Sequence, residues 1–211
     1  MTSNERSFGV FFKRFHIANN LFSVEECDKI IEYFEKNTSS RASVVNTEDS
    51  KPNQVVSKFD TKVRDGQIVF CSHKVREMNF AFQKLNYSAI WANFGWSVLP
   101  LRFLQIAKYD ANTDGGFYKS HRDIILENRP QRILSSVTQL SRAEEYTGCD
   151  LIFNKAENAP GLDRYKNKGD TIFFTSIDNH EVKPVLTGVR YSLTAWYEGP
   201  TIWNSESEYY V

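Results

Sequence analysis

Hydrophobic positions along the chain change period near residue 96, from the three-and-four spacing of helices to the alternation of strands. Behind Ser23 and Glu26, the residues Cys27, Ile30, Ile31 and Phe34 recur at helical spacing through position 37. A serine followed three residues later by a glutamate is the capping-box pattern, in which each side chain satisfies a backbone N–H left open at a helix start. Residues 74–94 carry Val75, Met78, Phe82, Leu85, Ile90 and Trp91 at similar intervals, which predicts a second amphipathic helix, broken near Asn86. The stretch 38–58 between them is rich in serine, asparagine and charge and reads as a loop ending in a short strand at 54–58. A lid over a site would have the same composition.

After Trp96 the pattern predicts strands at 98–109, 117–122, 133–140, 151–153, 171–174, 180–185 and 190–197. Turn signals separate them: Asp114-Gly115-Gly116, Gly148, Pro160-Gly161, Gly169-Asp170 and Thr187-Gly188. Many short strands behind a helical pair indicate an α+β chain, mainly β, whose core is a double-sheet roll with amino-terminal helices buttressing one outer face. A single domain over 1–211 is expected, with a helical preface at about 1–96 and a β-roll at about 97–200.

Composition narrows the classes. A chain of 211 residues with 41% hydrophobic and 14% aromatic positions can bury a sizeable core. Its 26 basic residues balance 26 acidic ones, so no general field draws it to nucleic acid or to a membrane. Arg129, Arg132, Lys166 and Lys168 are scattered charges of the kind found on solvated surfaces. Cys27, Cys71 and Cys149 are an odd number at wide spacing, which argues against a disulfide framework and for a reducing compartment. Residues 1–14 lack the apolar core of a secretion signal, and no run approaches the ~20 apolar residues of a membrane span. The expectation is a soluble, intracellular, cytoplasmic protein.

The chemistry-bearing residues sit in the strand-rich part. His121 and Asp123 are two apart, and on a strand such positions project from one side. His180 could complete a set of two imidazoles and one carboxylate, the facial triad that leaves coordination positions open on Fe(II). The same donors also suit catalytic zinc, and His121 with Asp123 alone would be an ordinary polar pair. Arg190, Ser192, Thr194 and Trp196 share the next face along. No acid accompanies Arg190 there, so a bound carboxylate, held by the guanidinium fork and the Ser192 hydroxyl, is the natural partner. An acid from elsewhere in the fold is the alternative. His16 and His73 lack a paired acid and read as structural.

In order, Tyr109, Tyr118, His121-x-Asp123, the Gly169-Asp170 turn, His180 and Arg190-x-Ser192 resemble the Fe(II)- and 2-oxoglutarate-dependent dioxygenases, and among them the prolyl 4-hydroxylase-like branch. The resemblance runs over about 101–197, while the first hundred residues match only as a helical preface. It implies a double-stranded β-helix, or jelly roll, with Fe2+ held by His121, Asp123 and His180. It also implies 2-oxoglutarate chelated through its keto-acid end, its remote carboxylate on Arg190 with help from Ser192 and Tyr109. O2 would be the second cosubstrate and ascorbate a reductant. The implied reaction hydroxylates a substrate C–H, with release of succinate and CO2.

A peptidyl prolyl residue is the substrate that the branch suggests, so a peptide or protein partner is expected and nucleic acid is not. Free amino acids, small metabolites and modified bases stay open, because the loops 38–58 and 154–168 contain no recognisable selector. A metal-binding β-roll that senses without turnover, and zinc-assisted hydrolysis, are the readings from other classes. Gly-x-Ser-x-Gly, phosphate-loop and His-Glu-x-x-His motifs are absent.

Overall fold

The computed structural model describes residues 14–45, 57–92, 94–95, 97–113, 116–125, 130–154 and 159–200. Helix α1 (Val24–Lys36) starts as its sequence dictates. The Ser23 hydroxyl accepts the Glu26 backbone N–H at 3.2 Å, and the Glu26 carboxylate accepts that of Ser23 at 2.8 Å. Its buried face is Cys27, Ile30 and Phe34. Helix α2 (Asn79–Trp91), preceded by one 3-10 turn over Arg76–Met78, runs through Asn86 without a break. The Asn86 carboxamide oxygen instead accepts the backbone N–H of Leu101 at 2.9 Å, tying the helix to the segment that follows it.

The strands begin earlier than the periodicity indicates. Strand β1 (Phe15–Ala18) precedes α1, and β2 (Ser40–Arg41), β3 (Val44–Val45), β4 (Ser57–Lys58), β5 (Arg64–Asp65) and β6 (Gln67–Ser72) lie between the helices. The predicted strand at 54–58 survives as β4, and residues 46–56 of the predicted loop lie outside the described residues. Then come β7 (Phe103–Asp110), β8 (Phe117–His121), β9 (Gln131–Gln139), β10 (Tyr146–Gly148), β11 (Leu151–Phe153), β12 (Thr171–Thr175), β13 (His180–Val182) and β14 (Val185–Gly199). The preface is therefore only partly helical, since β1 and β6 are built into the same sheet as the carboxyl-terminal strands. β1 is too short to show a period, and in β6 the run Ile68-Val69-Phe70-Cys71 masks the alternation, because Phe70 is exposed where a polar residue would signal a strand.

The major sheet has the order β1-β12-β9-β14-β7-β6-β2, with β10 also paired to β14. The smaller sheet has the order β11-β13-β8-β5, and every pairing along both paths is antiparallel. Strand parity sends β14 residues alternately to two cores. Leu193, Ala195 and Tyr197 join Leu104 and Ile106 of β7 against α1 and α2. On the opposite face, Tyr109, Val137, Ile172 and Phe174 pack with Leu151 and Val182 of the smaller sheet. This is a mainly β, double-stranded β-helix arrangement with helices against the major sheet, as the pattern predicts.

The Thr187-Gly188 signal does not make a hairpin, because β14 runs unbroken from Val185 and the turn between β13 and β14 falls at Lys183-Pro184. Gly188 has φ of +72°, and a Cβ there would stand 2.0 Å from the carbonyl oxygen of Glu145. The glycine permits the close approach of β10, whose Tyr146 is its register partner. Of the predicted Asp114-Gly115-Gly116 turn, the first two residues lie outside the described set. No helix among the described residues is long and apolar enough to cross a membrane. Cys27, Cys71 and Cys149 are buried and free.

Candidate metal and cosubstrate site

His121 ends β8, and His180 opens β13 directly opposite it in register. Pairing of the two strands thus sets one imidazole beside the other, with ring centroids 4.2 Å apart. Asp123 arrives differently from the expectation: it lies just past the end of β8 rather than within the strand. There the carbonyl of Ser176 accepts the backbone N–H of both Asp123 and Ile124 at 3.0 Å, curling the chain so that the carboxylate reaches the imidazoles. One ligand atom from each of His121, Asp123 and His180 lies within 4.8 Å of the others.

Hydrogen bonding fixes the tautomers. His121 Nδ1 lies 2.8 Å from the carbonyl of Lys119, and His180 Nδ1 lies 2.9 Å from that of Asp178. A carbonyl can only accept, so each Nδ1 carries a proton, which leaves Nε2 as the lone-pair nitrogen of the neutral ring. The Nε2 atoms stand 3.6 and 3.7 Å from the two Asp123 carboxylate oxygens, too far for a hydrogen bond. Asp123 Oδ2 is buried without a partner. Burial would raise the Asp123 pKa, but His180 and His121 beside it hold the carboxyl well below the usual carboxylate range. Burial also lowers His180 to about 4. An ionised acid and a neutral imidazole, each with an electron pair facing a shared gap, are the protonation states that a divalent cation requires. The donor set therefore fits Fe(II).

Further along the same cavity stand Tyr109, Arg190, Ser192, Thr194 and Trp196. Arg190 is 1% exposed. Its partner is not an acid: the Gln139 carboxamide oxygen accepts from Nε at 3.0 Å and from Nη2 at 2.8 Å. Among the described residues no carboxylate lies within ion-pair distance of Arg190. The Tyr109 ring lies 5.8 Å from the guanidinium, and burial pushes its phenol up. Ser192 is buried on the same face of β14, opposite Gln139 in register. His16 and His73 stay apart from the cluster, His16 near the Phe173 ring and His73 against the carbonyl of Arg102. Lys166 and Lys168 are paired with Asp150 and Asp28, Arg132 lies 4.4 Å over the Trp196 ring, and Arg129 lies outside the described residues.

Three residues at or beside the site were not placed by the sequence. Tyr118, which the resemblance includes, stands three positions before His121 and would face the other way on a regular strand, yet it stacks on His121 with centroids 3.4 Å apart, because the register shifts between His180 and Val182. Arg64 of β5 lies 4.4 Å over the Tyr118 ring with a buried, unpartnered Nε. A two-residue strand carries no period by which it could be found. Gln139 is the third, a neutral residue at the end of a strand.

Residues 104–198 match the 2OG-Fe(II) oxygenase superfamily, a span that covers β7 to β14 and every candidate ligand. Over 118 residues the chain is 28% identical to a PKHD-type hydroxylase of Acinetobacter baumannii, an alignment covering 52% of this chain. The chain spans about half the length of the curated relatives it matches, 51% in each case. Among solved structures, it is similar to a Trichoplax adhaerens prolyl hydroxylase in complex with a hypoxia-inducible-factor peptide fragment (TM-score 0.65, 19% identity, 87% of this chain and 83% of that one). A Pseudomonas putida prolyl-4-hydroxylase gives TM-score 0.63 at 17% identity, covering 88% and 92%. The collagen prolyl hydroxylase of Paramecium bursaria Chlorella virus-1, in its 2OG complex, gives 0.61 at 18%, covering 89% and 97%. Residues 104–198 thus match the 2OG-Fe(II) oxygenase family model, and the solved prolyl hydroxylases share this chain's fold.

Proposed function

We propose that the protein is an Fe(II)- and 2-oxoglutarate-dependent oxygenase that hydroxylates a C–H bond of a peptidyl side chain, with proline the leading substrate. The observation that carries this reading is the buried Arg190 guanidinium, left without an anion in the same cavity as two imidazoles and a carboxylate. Leaving a buried charge without a counter-ion is costly, so a site that does so is built for a charged ligand. A metal-sensing module would need the three metal donors and would leave Arg190 unexplained.

His121, Asp123 and His180 would hold Fe(II), which when bound couples O2 activation to oxidative decarboxylation of the keto acid. Arg190 would take the remote carboxylate, with the Ser192 hydroxyl and Tyr109 beside it. Anchoring the far end fixes the orientation of the near end, an entropic contribution made before the chemical step. The carbonyls of Lys119 and Asp178 would keep the imidazoles aimed. Trp196 lines the cavity with a buried, unpartnered Nε1–H, a donor suited to a peptide carbonyl. A peptide substrate is also supported by the Trichoplax relative, whose complex contains a peptide fragment.

The test is turnover: Fe(II), 2-oxoglutarate, ascorbate and a library of proline-containing peptides should yield succinate in step with a 16-dalton mass gain on one peptide. Succinate coupled only to free amino acids or small metabolites would replace the peptidyl substrate. Hydrolytic activity with zinc, independent of O2 and keto acid, would replace the oxygenase reading altogether.

A further inference from the structure

The reading above requires Arg190 to keep its charge available, and the structure holds a device that does this. Gln139 ends β9, and its backbone is pinned on both sides by the turn before β12. Its N–H donates to the Asp170 carbonyl at 2.9 Å, and its own carbonyl accepts the Gly169 N–H at 2.8 Å. Gly169 has φ of +91°, and a Cβ there would meet the Phe22 carbonyl oxygen at 2.1 Å. No other residue fits that turn without displacing the segment that leads into α1. The Gln139 side chain, 2% exposed, is therefore aimed by a rigid frame.

What it presents to Arg190 is an acceptor without charge. One oxygen receives both N–H groups of the Nε–Nη2 edge, which fixes the guanidinium plane and leaves the remaining N–H groups for other acceptors. A glutamate at the same place, identical in length, would receive the same edge as a bidentate ion pair and neutralise the cation internally. The neighbouring Tyr109 phenol and Cys149 thiol do not supply an anion, since burial pushes both up.

We propose that Gln139 is the positioning residue that makes this site select a dicarboxylate keto acid. Its neutral carboxamide orients the Arg190 fork while reserving the positive charge for the ligand's far carboxylate. This rests on the 2-oxoglutarate reading of the cavity, and it concerns selection between keto acids rather than the chemistry they undergo.

The experiment is anaerobic titration calorimetry on the full chain loaded with Mn(II) as a redox-silent substitute. It compares 2-oxoglutarate with 2-oxobutyrate, which has the same keto-acid end and no second carboxylate. The parent should prefer 2-oxoglutarate strongly. Gln139→Glu should weaken 2-oxoglutarate by about 100-fold, the scale of an opposed buried charge, while 2-oxobutyrate and Mn(II) affinities stay within about twofold, so the preference collapses. Gln139→Met, which keeps the length and removes the acceptor without adding charge, should lose about tenfold on 2-oxoglutarate alone. It serves as the deciding variant if Gln139→Glu does not fold. An unchanged preference in a folded variant, or equal losses on both keto acids and on Mn(II), overturns the proposal while leaving the cosubstrate reading intact. A parent that binds no 2-oxoglutarate removes both.

Discussion

The two faces of the major sheet are made from the same strands yet solve opposite problems. On the helix side, Leu104, Ile106, Leu193, Ala195 and Tyr197 interlock with α1 and α2. The buried Tyr197 hydroxyl there donates to the Leu85 carbonyl at 3.1 Å. On the roll side the alternate residues are Gln105, Arg190, Ser192, Thr194 and Trp196, facing the metal-type triad. The described structure holds four buried side-chain atoms without a hydrogen-bond partner, and three of them, on Arg64, Asp123 and Trp196, belong to this cavity. The fourth is on Asp65, next to Arg64 in β5. One face is closed in the protein alone, and the other is left with unpartnered buried donors and acceptors. Stability should therefore follow the first face and ligand affinity the second.

Substitutions can separate the two. The largest effect should come from Asp123→Ala, which removes the charged member of the triad: metal affinity should fall by at least about 100-fold, with thermal unfolding of the metal-free protein changed far less. Mn(II) titration alongside a melting curve reads both, and retained metal binding would show that the ion sits elsewhere. Leu104→Ala should do the reverse. Its side chain is 0% exposed, so truncation should cost roughly 2–5 kcal/mol of unfolding free energy in urea, with 2-oxoglutarate affinity per folded molecule preserved. A loss of ligand binding in step with stability would erase the division between the faces.

Smaller changes sharpen the contrast. Arg190→Ala should weaken 2-oxoglutarate by roughly 10- to 100-fold, the worth of a charge-assisted hydrogen bond, and leave Mn(II) uptake as it was. Equal loss of both ligands would mean that the guanidinium supports the whole roll instead of one end of the cosubstrate. Ser23→Ala, at the start of α1, should cost about 1 kcal/mol through the lost cap with no effect on either ligand. Denaturation midpoints would detect it.

How far the sequence disclosed this arrangement depended on the length of each element. α1 was readable because thirteen residues carry a full apolar stripe and a cap at its start. The long strands β7, β9 and β14 showed their parity, and with it the shared face of Arg190, Ser192 and Trp196. β1, β5 and β10 have two to four residues each and hold place only through pairing with partners far along the chain, which no local window contains. His121, Asp123 and His180 could be grouped by residue type and spacing, although Asp123 reaches the cluster by a turn on Ser176 and not by strand alternation. The absence of an acid on the Arg190 face was legible as well. That a glutamine fifty-one residues earlier fills the place was not, because a neutral partner leaves no trace in charge pattern or period.

The central claim is a single cavity holding a divalent ion at one end and a dicarboxylate at the other, the two coupled through the keto-acid group. The most direct test is the affinity of 2-oxoglutarate under anaerobic conditions, with and without Fe(II) or Mn(II), in the parent chain and in His180→Ala. The account predicts one molecule of 2-oxoglutarate per chain, bound at least about tenfold more tightly when the metal is present, with that enhancement lost in His180→Ala. Binding that is indifferent to the metal, or an enhancement that survives in His180→Ala, would contradict it.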